Sequence, residues 1–201
     1  MNQRQIYISK GRFILAIFFP ILLAACSNTY NRVETGGTER TGVHLDESVA
    51  VLVTTPKDGG YNGKLSIGSG AIVARRTDAA FSRYARLVDV YPSEFHSLNE
   101  LKDTIAKNGY GYIVVPTIAV WEHETSDWAD TPSQVSVKIS VIDATTGKEI
   151  SSNFLEAKGE PPSSIYSLLG LGDEGPEELL SDMANGYVDD LYGVILSIRK
   201  R

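Results

Sequence analysis

The sequence predicts an α/β (α+β) fold: a mixed sheet of about five strands with two or three packed helices, in the order β-α-β-α-β-β-β-α. Three observations predict it. Ser48-Val49-Ala50-Val51-Leu52-Val53 is a nearly continuous apolar, β-branched run, the pattern of a strand buried on both faces. Two stretches of helical periodicity then separate extended runs, and helical crossovers imply parallel pairing. Gln134 to Ala157 finally reads as a hairpin, which implies antiparallel pairing in the second half.

After the first strand, Pro56 to Gly63 reads as a loop, with Asp58-Gly59-Gly60 as its turn chemistry. A helix is expected from near Ser69, with Val73, Ala80, Phe81 and Tyr84 at helical spacing on its inner face. Leu87-Val88-Asp89-Val90-Tyr91 is the second strand. Ser97 with Glu100 three residues on is a capping box for the second helix. Leu98, Leu101 and Ile105 form its apolar stripe, and Asn108-Gly109 ends it. Tyr112 to Trp121 is a long third strand, interrupted by Pro116, where a bulge or an edge position is expected. From Gln134 the residues alternate: Val135, Val137, Ile139 and Val141 face one way, Ser136, Lys138 and Ser140 the other. Thr146-Gly147 turns the chain, and Glu149 to Ala157 returns. Pro176 opens the last helix, with Glu177 and Glu178 on the positive end of its dipole. Its apolar stripe is Leu180, Met183, Tyr187, Leu191, Val194 and Ile198.

Residues 1–25 carry a different pattern. Arg4, Lys10 and Arg12 precede an unbroken apolar run from Phe13 to Leu23. That run suits the core of an export signal, since a membrane-spanning helix needs roughly 20 apolar residues. It ends in Leu23-Ala24-Ala25-Cys26, which resembles the lipobox of bacterial lipoproteins. The resemblance implies cleavage between Ala25 and Cys26 and acylation of Cys26, with the acyl chains holding the protein to a bilayer. Ser27 follows, where well-studied lipoproteins retained at the inner membrane carry aspartate. By that resemblance the protein faces the periplasm from the outer membrane, with the inner membrane as the alternative. Cys26 is the sequence's single cysteine, so its acylation leaves no thiol for a disulfide or a cysteine-based zinc site.

Without Arg4, Lys10 and Arg12 the chain carries 16 basic and 25 acidic residues, a formal charge of −9. Nucleic acid is a poor partner for such a surface. Residues 26–46 are polar, with Thr35-Gly36-Gly37-Thr38, and read as a tether spanning roughly 25 Å. Residues 47–201 are expected to form one periplasmic domain with its own core.

Trp121-Glu122, Trp128, Pro132 and Asp143 to Lys148 resemble a family of proteobacterial lipoproteins of unknown function. So do Gly68-Ser69-Gly70 before the first helix, Pro176 to Leu180, and Tyr187-Val188-Asp189 with Leu191-Tyr192. The element order also resembles the periplasmic module of penicillin-binding-protein activator lipoproteins, curli-secretion lipoproteins and the N-terminal domain of the Tol-system β-propeller protein. That likeness concerns fold and does not imply function.

Gly68-Ser69-Gly70 offers free N–H groups to an anion, but lacks the Gly-Lys-Ser/Thr ending of a P-loop. A turn with a helix cap is the simpler reading. Trp121, Glu122, His123 and Trp128 form a candidate interaction surface, because tryptophan is enriched among interface anchors. Glu122, His123, Glu124, Asp127 and Asp130 could instead be drawn as an acid–base site, but no second histidine completes a zincin motif. Asp189-Asp190 reads as a solvated helix face. No nucleophile elbow, metal set or cofactor motif is present in the sequence. The expectation is a non-enzymatic docking or accessory module for another envelope protein. The alternatives are an envelope hydrolase using acidic residues near Trp121–Asp130, or a subunit of a secretion complex. The strand 149–157 has no continuous apolar face, so a transmembrane barrel is not expected.

Overall fold

The computed structural model describes residues 31–33, 44–122, 133–158 and 175–193. The main sheet contains β1 (Asn31–Val33), β2 (Ala50–Thr54), β5 (Leu87–Tyr91), β6 (Tyr110–Glu122), β7 (Gln134–Asp143) and β8 (Glu149–Lys158). Their spatial order is β1-β8-β7-β6-β2-β5, with a separate two-stranded ribbon of β3 (Gly60–Tyr61) and β4 (Lys64–Leu65). Three helices complete the described residues: α1 (Ser69–Phe81), α2 (Leu98–Asn108) and α3 (Pro176–Leu191). The mixed sheet is the predicted one: β2 pairs parallel with β5 and β6, and β6, β7 and β8 pair antiparallel.

Every residue of β2 is buried. The crossover through α1 leads to β5 on one side of β2, and that through α2 leads to β6 on the other. Right-handed crossovers in opposite directions put their helices on opposite faces. Accordingly Val73, Ala80 and Phe81 of α1 pack with Val51 and Val53, while Leu101 of α2 packs with Ala50, Leu52 and Ile113. α3 joins α1 on the first face, burying Leu180, Met183 and Tyr187 against Val135, Val137, Ile139 and Val141. Its expected stripe continues to Val194 and Ile198, which lie outside the described residues.

The caps follow the sequence signals. Ser97 Oγ accepts from Glu100 N–H at 3.4 Å, and Gly109 ends α2 at φ 69°. Pro176 lies in the first turn of α3 with Glu177 and Glu178.

Three expectations need correction. Against β7 the bulge in β6 is at Ala119, between the pairs Ile118–Val137 and Val120–Ser136, and not at Pro116, where the alternative expectation of an edge position holds. Pro116 pairs with Ile139, but the β2 ladder ends at Val114, so its missing N–H falls where β6 has outrun that neighbour. The extra residue at Ala119 flips the alternation, and Trp121 turns onto the helix-covered face beside Val135. Trp121 is 4% exposed, so its ring belongs to the core and does not anchor an exposed surface.

Asp189 is the second correction. It is buried, because Arg83 Nη1 meets its Oδ1 at 2.8 Å and Tyr84 O–H donates to the same oxygen at 2.8 Å. A buried carboxylate needs such partners. The Tyr84 ring stacks on Tyr192, 5.0 Å between centroids, and Arg76 meets Glu177 at 2.6 Å, so both ends of α3 are tied to α1 and the turn that follows it.

The third concerns the tether. Asn31–Val33, inside that segment, pairs antiparallel with Phe154–Glu156 as an edge strand. Leu45 is already in the core and its N–H donates to Leu191 O at 2.9 Å, so packing starts two residues ahead of the expected boundary.

Replacing Trp121 by alanine removes a large buried ring and leaves a cavity. It is expected to destabilise the domain by about 3–5 kcal/mol. Urea unfolding measures this; a loss under about 1 kcal/mol would contradict the core placement.

Candidate functional site

Adjacent parallel strands whose connections leave toward opposite faces create a crevice at their carboxyl ends. β2 and β5 are such a pair. A cleft of about 160 Å³ lies there, lined by Thr54, Pro56 and Asp58 after β2, Glu94 and Phe95 after β5, and Val115 to Ile118 of β6. Lys57 Nζ and Glu94 Oε2 approach to 3.4 Å across its rim.

Asp58 organises this end. Its Oδ1 accepts from Gly70 N–H at 2.8 Å and its Oδ2 from Gly68 N–H at 3.0 Å. These bonds, Gly70's first, hold its carboxyl below the ordinary value of 3.8. The N-terminus of α1, read from sequence as a candidate anion site, is thus capped by the chain's own carboxylate from 10 residues upstream of Gly68. Gly68 is at φ 89°, which favours glycine. A Cβ on Gly70 would lie 2.2 Å from Pro56 O, so glycine permits the close approach.

The segment between β2 and α1 is a hairpin where the sequence suggested only a loop. Asn62 and Gly63 both have positive φ, 48° and 77°, the signature of a type I′ turn. The Asn-Gly pair was the available signal. It was overshadowed because β3 and β4 are two residues each, too short to show alternation. The base is pinned: Ser66 N–H donates to Gly59 O at 2.8 Å, Gly59 N–H to Ser69 Oγ at 2.9 Å, and Ser66 O–H to Trp121 O at 3.4 Å. Leu65, opposite Gly60, is 63% exposed, and Ile67, just past Ser66, is 89% exposed.

In the cleft lining Thr54 Oγ1 donates to Val114 O at 3.3 Å, and beside it Thr55 Oγ1 donates to Tyr91 O at 2.8 Å. Asp58, ionised and bonded to two amides, is a poor proton acceptor at neutral pH. Glu122 ends β6 opposite Gln134, half-buried. Ala25, Cys26, His123, Glu124, Asp127, Trp128 and Asp130 lie outside the described residues. Among the described residues no three His, Cys, Asp or Glu side chains converge to hold a metal, and no helix is long and apolar enough to cross a membrane.

A family described as a domain of unknown function, DUF4823, matches residues 43–191, and the chain belongs to that family. No curated protein matches it. Among solved structures, a PelC dodecamer from Paraburkholderia phytofirmans is similar over 83% of this chain and 98% of its own, at 13% identity and a TM-score of 0.57. Lipoprotein GNA1162 from Neisseria meningitidis shares 18% identity over 71% of this chain and 99% of its own, with a TM-score of 0.40. The LpoB C-terminal domain from Salmonella enterica shares 10% identity over 56% and 84%, with a TM-score of 0.39. The likeness to the PelC chain is one of fold.

Because the Asp58 carboxyl is lowered, its contribution to stability is complete above its ordinary value of 3.8 and is lost as pH falls through the lowered one. Asp58→Asn should flatten the stability profile below about pH 4 and speed amide exchange at Gly68 and Gly70. Unchanged exchange at both glycines would show that the carboxylate does not hold the helix end.

Proposed function

We propose that this member of the DUF4823 family is a lipoprotein, acylated at Cys26, that works from the periplasmic face of the outer membrane as a non-enzymatic docking module for another envelope protein. The Leu23-Ala24-Ala25-Cys26 sequence and the following Ser27 support the anchor and its placement.

The observation that carries the docking reading is the edge strand β5. Among the described residues it ends the sheet on one side, pairs with β2 alone, and leaves Leu87 and Val90 exposed at 41% and 39%. An open edge with apolar side chains accepts an extended segment of another chain through backbone hydrogen bonds. A second copy is the other occupant to consider, since the PelC chain of similar fold is a dodecamer.

Two measurements test the proposal. Cys26→Ser should accumulate as unprocessed, unacylated precursor, and wild-type protein should fractionate with the outer membrane; normal processing of the variant would defeat the anchor assignment. A photocrosslinking amino acid at Val90 should capture one discrete envelope protein in native membranes, while the same group at Thr145, on the β7–β8 turn, should not. Capture of the chain's own copies would replace docking by self-assembly. No adduct at Val90 would refute β5 as the docking edge.

A further inference from the structure

The strand polarities place the lipid anchor. β2 and β6 run parallel, β7 reverses, and β8 reverses again, so β2, β6 and β8 finish at one end of the sheet. β1 is antiparallel to β8, with Asn31 opposite Glu156 and Val33 opposite Phe154. The chain leading back from Asn31 therefore departs at the end where β8 finishes. Cys26 lies five positions before Asn31, a reach of at most about 18 Å.

The β3–β4 hairpin stands at that same end. It follows the last residue of β2, and Ser66 bonds the carbonyl of Trp121, the penultimate residue of β6. From β1 to β6 is three strand spacings, about 14 Å across the sheet. The turn at Thr145–Gly147 and the junction of Leu45 with Leu191 lie at the opposite end.

The hairpin and the residue after its base carry the two most exposed large apolar side chains among the described residues, Leu65 in β4 and Ile67 just past Ser66, with Tyr61 of β3 at 38%. Lys64, paired with Tyr61 next to the turn, is exposed. Exposed apolar side chains beside a lysine suit an interface of acyl chains and anionic headgroups.

We propose that this hairpin and the residue after it form a membrane-contact element: Leu65 and Ile67 enter the interface of the leaflet that holds the anchor, while Lys64 meets its anionic headgroups. The proposal rests on the reading of Cys26 as the acylation site. It fixes the domain's orientation, with the cleft end toward the bilayer and the β7–β8 turn toward the periplasm.

The test uses the full, processed chain. With Cys26 acylated, Ile67→Cys supplies a free thiol for a nitrobenzoxadiazole label, and Thr145→Cys supplies the control at the far end. Each protein is reconstituted into vesicles of phosphatidylethanolamine and phosphatidylglycerol containing doxyl-labelled lipid, and flotation is recorded first. The expected result is a blue-shifted emission at 67, quenched several-fold more than at 145. A chain that does not float overturns both the anchor and the contact. A floating chain whose label at 67 is unquenched overturns the contact alone. A label at 67 that is shielded without quenching, and crosslinks to a second copy, assigns the hairpin to self-association instead. Equal quenching at both positions overturns the orientation.

Discussion

The structure depends on one constraint: β2 must be buried on both faces. Its five residues bring no polar side chain except Thr54, whose hydroxyl is bonded to Val114 O. A strand of that kind needs neighbours on both edges and cover on both sides. Parallel β5 and β6 supply the edges, α1 covers one face, with α3 beside it over β7 and β8, and α2 covers the other. The crossovers then diverge at the carboxyl end of β2. The cleft, the Asp58 cap and the hairpin all lie at that divergence.

Within this frame, single extra residues decide which side chains reach the core. Gly111 is extra in β6 relative to β2, and a Cβ there would lie 2.3 Å from Val49 Cγ1. The bulge lets Tyr110 and Ile113 share the α2 face, where the Tyr110 hydroxyl donates to the Asp89 carboxylate. Burial, and then that bond, push Tyr110 up to about 12. Ala119 does the same for Trp121 on the opposite face. Ile150 is the extra residue of β8, after which Ser151 lies opposite Val141 and shares a 2.8 Å hydrogen bond with the Tyr187 hydroxyl of α3.

The two proposed contact surfaces divide the molecule by direction. Among the described residues β5 leaves one backbone edge unpaired at the side of the sheet, and the hairpin region exposes apolar side chains at one end. An anchor at Cys26 would present these differently: the end lies against the bilayer and the side remains free for a protein. The cleft between them is small, and Thr54 and Asp58 of its lining are bonded to main-chain groups of the same chain.

The sequence by itself determined the helices, the long strands and their pairing sense, because periodicity, Ser97, Gly109 and Pro176 act over a few neighbouring residues. It also held the Asn-Gly turn, though two-residue strands gave that turn no flanking pattern to confirm it. Only the tertiary structure decided the bulge at Ala119, the burial of Trp121 and Asp189, and the occupation of the α1 N-terminus by Asp58. Each depends on a partner distant in the chain or across the sheet: Val135 for Trp121, Arg83 and Tyr84 for Asp189, Gly68 and Gly70 for Asp58. Alternation along a strand cannot show an inserted residue until its neighbour fixes the register. A carboxylate reads as solvated until folding brings its donors to it.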